Sequence, residues 1–162
     1  MNMVDVNPTI SIITLNVNGL NVSIKRQRMS EWIKNQDPTI CCLHETHFNY
    51  KDTYRLKVNG WKKIYHTNTN QKKAGIIILI SDRANFKAMN IIKDKEGYYT
   101  IIKGSILQKY ITIPNVCVPN NRVSNYVRPK LIKLQREVDE STIIVGDFNS
   151  VRNGQIQVAE NH

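Results

Sequence analysis

Apolar residues along the chain fall into short runs with two different periods. Thr9 to Val17 (Thr-Ile-Ser-Ile-Ile-Thr-Leu-Asn-Val) is rich in β-branched residues and leads into Asn18-Gly19, so it predicts a buried strand that ends in a loop. Ser23 then supplies a cap for Ile24 to Gln36, where Met29, Trp32 and Ile33 share one face opposite Lys25, Arg26, Arg28 and Glu31. That spacing predicts an amphipathic helix. Thr39 to Leu43 is a second short apolar run, and strand, helix, strand is how a βαβ-type layered fold begins.

The middle of the chain changes character. Trp61 to His66, Gly75 to Ser81, Phe86 to Lys93, Tyr98 to Lys103 and Tyr110 to Cys117 read as strands divided by short polar turns such as Asn59-Gly60 and Lys95-Glu96-Gly97. Even spacing of this kind predicts an antiparallel meander. A second helix follows, ending near Glu140, with Leu131, Leu134 and Val138 on one face, and Thr142 to Val145 predicts a last strand that delivers Gly146-Asp147-Phe148-Asn149. Residues 150–162 are polar and aperiodic, and are expected to fray. Helix-flanked strands at both ends with a meander between them define the class as α/β, a layered sandwich in which helices cover sheet faces.

Composition narrows the partners. The 162 residues include 23 Lys and Arg against 13 Asp and Glu, a formal charge of +10, which favours acidic partners such as nucleic acid. The longest apolar run, Gly75 to Ile80, is far shorter than the roughly 20 residues of a membrane span, so no membrane partner is expected. Cys41, Cys42 and Cys117 form no disulfide framework, and the start of the chain has no signal-peptide pattern. Nucleus or cytoplasm is the expected location, rather than secretion.

Three polar positions stand at the ends of apolar strands: Asn16 with Asn18, Glu45 in Leu43-His44-Glu45-Thr46-His47, and Asp147 with Asn149. Each alone is an ordinary turn or cap residue. Together they place carboxylate and amide oxygens where a rigid sheet fixes loop geometry, a donor set that suits a hard ion such as Mg²⁺. His44 and His47 stand three apart, but at a strand end they point to different faces, which argues against zinc. Cys117 has no evident base and reads as a small core residue. Basic residues cluster as Lys25-Arg26-Arg28, Lys62-Lys63, Lys72-Lys73 and Arg128-Lys130, several loops of one sign that suit a phosphate-tracking surface.

Four segments in unbroken order carry a resemblance. Ile13-Thr14-Leu15-Asn16-Val17-Asn18-Gly19-Leu20, Ile40-Cys41-Cys42-Leu43-His44-Glu45-Thr46-His47, Gly60-Trp61-Lys62-Lys63-Ile64-Tyr65 and Gly146-Asp147-Phe148-Asn149 resemble the endonuclease domain of the reverse-transcriptase polyprotein of long interspersed element retrotransposons. That domain belongs to the exonuclease III-like endonuclease/exonuclease/phosphatase family. The resemblance implies a four-layer α/β sandwich, incomplete here, with residues 1–8 a disordered start, 9–150 the endonuclease-like domain and 151–162 an unrelated polar tail. It implies Mg²⁺-dependent hydrolysis of DNA phosphodiester bonds, with DNA as partner and no small-molecule cofactor. Residue by residue, it implies Glu45 and Asn16 as metal ligands, Asp147 as the carboxylate that orients or activates water, and Asn149 as a contact to the scissile phosphate. Asn18 and Asn120 match positions near the DNA backbone.

The departures are equally specific. Cys117 stands where the family has a tyrosine that hydrogen-bonds the phosphate, and a thiol is a shorter, weaker donor. Pro114 is expected to interrupt Ile111 to Val116, where the family has an ordinary apolar residue in a central strand, Pro129 falls inside or at the start of the second helix, and His44 replaces a glutamine. Nothing after Asn149 resembles the family's closing aspartate and Ser-Asp-His elements. Weak or lost activity is therefore the expectation, with a non-catalytic nucleic-acid-binding remnant as the alternative. Phosphoinositide or sphingolipid phosphodiesterases share the fold, but the basic charge and the retrotransposon motifs argue against them.

Overall fold

The computed structural model describes residues 10–48, 51–67, 75–93, 99–106, 109–117, 145–147 and 155–159. In chain order these form β1 (Ile10–Asn16), α1 (Ser23–Gln36), β2 (Ile40–His44), β3 (Lys63–Thr67), β4 (Ile76–Ile80), β5 (Lys87–Lys93), β6 (Tyr99–Ile106), β7 (Lys109–Cys117), β8 (Val145–Asp147) and β9 (Gln155–Ala159). Among the described residues, one sheet has the order β3-β4-β2-β1-β9 and the other β5-β6-β7-β8. β1 runs parallel to β2, and β7 runs parallel to β8; the remaining pairs are antiparallel.

The two sheets face each other across an apolar layer, and α1 covers the outer face of the first. β2 and β4 are buried along their whole length, as expected of strands covered on both sides. Their alternate residues divide between two cores. Ile40, Cys42, Ile76, Ile78 and Ile80 meet Ile102, Ile106, Ile111 and Ile113 between the sheets. Cys41, Leu43, Ile77 and Leu79 lie under α1 with Ile33 and Trp61. Helix, sheet and sheet are thus three layers of the expected α/β sandwich; the helix expected to end near Glu140 lies outside the described residues. Among the described residues, no helix is long and apolar enough to cross a membrane.

Four local expectations need correction. The middle runs are not one meander: β3 and β4 join the first sheet, whereas β5, β6 and β7 build the second. The chain changes sheets through a 3-10 turn at Asp82–Ala84, where Ser81 accepts a hydrogen bond from the Arg83 amide, and Phe86 then plunges into the inter-sheet core. Gly104 on β6 makes room for it, because a side chain there would collide with the Phe86 ring and the Lys87 carbonyl. Residues 150–162 do not all fray, because Gln155–Ala159 pairs in antiparallel register with β1 and covers an edge that would otherwise leave backbone groups unpaired.

Pro114 does not interrupt β7; it sits opposite Ile101, and pairing with β8 starts one residue later at Asn115↔Val145. On the β8 side its missing N–H therefore falls outside the described ladder. Finally, Ser23 is the first helical residue and not the cap. Val22 occupies the cap position, with φ −81 and ψ 126 and no side-chain hydrogen bond.

Phe86 is fully buried and meets Tyr65 edge-on, with ring centroids 6.1 Å apart. Phe86→Ala is expected to lower stability by about 3–5 kcal/mol in urea unfolding, the usual cost of emptying an aromatic site in a core. On β3, His66 is half-buried and accepts a hydrogen bond at its carbonyl from Lys93 Nζ. Burial, and secondarily the Lys93 charge, hold its imidazole below the ordinary 6.5, so folding favours the neutral ring. That contribution is complete above 6.5 and is lost as pH falls below it. The urea midpoint should therefore drop on acidification through this range, and His66→Gln should flatten the drop.

Candidate functional site

The site begins with a row of paired residues at one end of the first sheet. Asn16 pairs with His44, His44 with Ile76, and Ile76 with Thr67. Past the strands the two parallel chains stay zipped. The Val17 amide donates to the His44 carbonyl at 3.0 Å, Gly19 to Glu45 at 2.7 Å and Leu20 to Thr46 at 2.9 Å, while the Thr46 amide donates to Gly75 at 3.3 Å. Asn16, the last residue of β1, and Glu45, the first after β2, are thereby held as neighbours.

Backbone conformation decides what Glu45 can do. Cys41 and Leu43 point under α1, so a continued strand would drive the carboxylate into that apolar layer. Glu45 instead adopts φ 54, leaves the pleat and stays half-exposed. Asn18 and His47 share this left-handed region, at φ 48 and 57. Such conformations cost non-glycine residues of order 1 kcal/mol each and persist where surrounding bonds over-determine them. Asn16 and Asn18 are exposed, and the Asn16 Oδ1 accepts the Asn18 amide at 3.1 Å in a local turn.

The second sheet brings Asp147 to the same end. β8 places Asp147 opposite Cys117 and Val145 opposite Asn115, and β1 lies against β8 across the sandwich. A hydrogen bond between the Thr67 and Thr100 hydroxyls ties the two sheets there, and Thr100 pairs with Asn115. Glu45, Asn16 and Asn18 are thus gathered where β1 and β2 end, and Asp147 and Cys117 are the paired last residues of β8 and β7 in the facing sheet. Asn149 and Asn120 lie outside the described residues.

Other residues are redistributed. Asn115 carries no motif, yet its side chain is wholly buried at this end, with neither amide atom hydrogen-bonded. Its one signal in the sequence is a polar residue in step with core-facing Ile111 and Ile113. His44 is buried on the inner face, whereas His47 lies in the loop. Burial pushes the Cys41 thiol up to about 12 and, with Cys41 as neighbour, raises Cys42 too, so both stay protonated and inert.

The basic clusters do not all face solvent. Lys25 Nζ donates to the Asn18 carbonyl at 3.1 Å, Arg26 Nη1 donates to Leu20 at 3.0 Å and Asn21 at 2.7 Å, and Lys63 donates to the Phe86 carbonyl. Arg28 and Lys62 are exposed, while Lys72, Lys73, Arg128 and Lys130 lie outside the described residues.

Among the described residues, no three His, Cys, Asp or Glu side chains form a metal cage. A half-exposed carboxylate beside an exposed carboxamide fits a different kind of centre, a hard ion held by one or two carboxylates together with water and a phosphate. With this fold and rim defined, comparison with known proteins assigns the class. Residues 13–155 match the Endonuclease/Exonuclease/phosphatase family, and the chain belongs to that family.

Solved structures with the same fold include the AP endonuclease LMAP from Leishmania major, with TM-score 0.67 and 16% identity over 87% of this chain and 55% of that one. TDP2 from D. rerio, complexed with a single-strand DNA product, gives TM-score 0.66 and 16% identity over 91% of this chain and 63% of that one. The endonuclease domain of TRAS1, a telomere-specific non-LTR retrotransposon, gives 0.63 and 10% over 90% and 63%. The chain spans 48% to 64% of the length of these and related matching structures.

Gly75 supports the Glu45 loop directly. Its φ is +125, and a side chain there would run into the Thr46 hydroxyl. Gly75→Ala is expected to cost about 1–3 kcal/mol from overpacking and backbone strain. Thermal unfolding measures the loss, and Gly60→Ala, where the space is open, controls for φ alone.

Proposed function

We propose that this chain is an endonuclease domain of the long interspersed element retrotransposon type, and that its chemistry is Mg²⁺-dependent hydrolysis of DNA phosphodiester bonds. The observation that carries the reading is the zipped pair of loops, which sets Asn16 beside Glu45 at the end of the sandwich where β8 delivers Asp147. The order of motifs around these residues supports the retrotransposon type, and the TRAS1 endonuclease domain shares the fold.

In this reading Glu45 and Asn16 would hold the ion through their oxygens. When bound, it would supply positive charge to the phosphoryl oxygens where negative charge develops. Asp147 orients the attacking water and takes its proton as the water oxygen bonds to phosphorus and the P–O3′ bond breaks, the 3′ oxygen leaving to be protonated from solvent. Asn149 donates a hydrogen bond to the phosphate and keeps it in line. Asn18 and Asn120 contact the DNA backbone. Cys117, in place of a tyrosine, offers the phosphate a weaker donor, and the rate is correspondingly low.

Nicking of supercoiled plasmid by the purified chain tests this. Slow nicking is expected in Mg²⁺, abolished by chelator and reduced roughly a hundredfold or more by Glu45→Gln or Asp147→Asn. Cys117→Tyr should raise the rate roughly tenfold, the worth of one hydrogen bond to a charged group. A folded chain that binds duplex DNA equally well in chelator, loses it in salt and never nicks would instead be a nucleic-acid-binding module.

A further inference from the structure

The start of α1 breaks the usual rules for a helix N-terminus. Val22 at the cap position makes no side-chain hydrogen bond, the first turn contains no acidic residue, and Lys25 and Arg26 place positive charge at the positive end of the helix dipole. A local rule broken in this way calls for a compensating interaction.

The compensation lies in the loop before the helix. Lys25 donates to the carbonyl of Asn18, and Arg26 to those of Leu20 and Asn21. Two of those residues, Leu20 and Asn21, are themselves bonded to the Glu45 loop. The Leu20 amide meets the Thr46 carbonyl at 2.9 Å and the Asn21 side chain meets the His47 carbonyl at 3.1 Å. Gly19, between them and Asn18, holds the carbonyl of Glu45 itself at 2.7 Å. A continuous set of hydrogen bonds therefore runs from the two basic side chains, through residues 18–21, to the strained backbone at Glu45.

We infer that Lys25 and Arg26 are positioning residues, a cationic latch that fixes the loop pair carrying Asn16 and Glu45. They do not belong to the phosphate-tracking surface. Both are half-buried and aimed at carbonyls, whereas Arg28, on the same helix, is exposed. The latch sets the spacing of the two ion-holding oxygens, so this inference rests on the proposed role of Glu45 and Asn16.

Hydrogen exchange on the full chain, read by NMR without metal or DNA, tests the latch on its own. Arg26→Met should speed exchange of the Gly19 and Leu20 amides roughly tenfold, as loss of charge-assisted bonds implies. Core amides such as Ile78 should keep their wild-type rate, Arg28→Met should change neither group, and Arg26→Lys should restore part of the protection. If Arg26→Met does not fold, Lys25→Met, which removes a single exposed contact, carries the same comparison at Gly19.

Unchanged rates at Gly19 and Leu20, or equal acceleration of every amide, would overturn the latch. So would a salt slope for duplex binding in chelator that falls by about one in Arg26→Met, the mark of a lost phosphate contact. Calorimetric titration with Mg²⁺ separates the two readings. The latch expects several-fold weaker binding in Arg26→Met and wild-type binding in Arg28→Met. A wild-type chain that takes up no Mg²⁺, or a Glu45→Gln chain that binds it normally, would remove the metal reading while exchange still decides the latch.

Discussion

Parallel strands cannot be joined by a tight turn, so pairing β1 with β2 requires a crossover, and α1 is that crossover. The requirement has three effects at once. It sends both strands in the same direction, so their last residues, Asn16 and His44, emerge side by side. It buries the outer face of the first sheet, because α1 must return across it. It also leaves two loops at one end, close enough to continue the ladder as backbone bonds out to Leu20 and Thr46. The loop pair that carries Asn16, Asn18 and Glu45 depends on this single pairing.

The second sheet is recruited by apolar contact. Isoleucines from both sheets fill the layer between them, and Phe86 anchors the point where the chain passes from one to the other. At the site end polar groups enter this layer, where the Thr67 and Thr100 hydroxyls meet and Asn115 is buried. A buried carboxamide without partners is costly, so Asn115 marks a boundary where the interior stops being organised for packing alone.

What could be read from the sequence divides along physical lines. β1, α1, β2 and β4 have strong periodic or continuous apolar signals, and they form where expected. The placement of Asn16, Glu45 and Asp147 at strand ends could be read because they interrupt such runs. The partition of the middle strands between two sheets was not visible, since each antiparallel strand has the same alternation whichever sheet it joins. β9 was missed because five residues acquire strand character from a waiting edge on β1 more than from their own pattern. The left-handed turn at Glu45 was missed for a related reason: long-range hydrogen bonds impose it on a residue with no intrinsic preference for it. Lys25 and Arg26 looked like solvated charges because nothing local shows which carbonyls they reach.

The uncapped start of α1 sets helix stability and loop shape against each other. An engineer seeking a sturdier protein would place Asp at position 22 and acids at positions 25 and 26, each a sound improvement to a helix read in isolation. The same changes would strip the carbonyls of Asn18, Leu20 and Asn21 of their donors and set repulsion beside them. Thermostability gained at this turn would therefore come with a looser rim, and sequence drift toward a better helix is a route by which such a fold could persist while its chemistry fades.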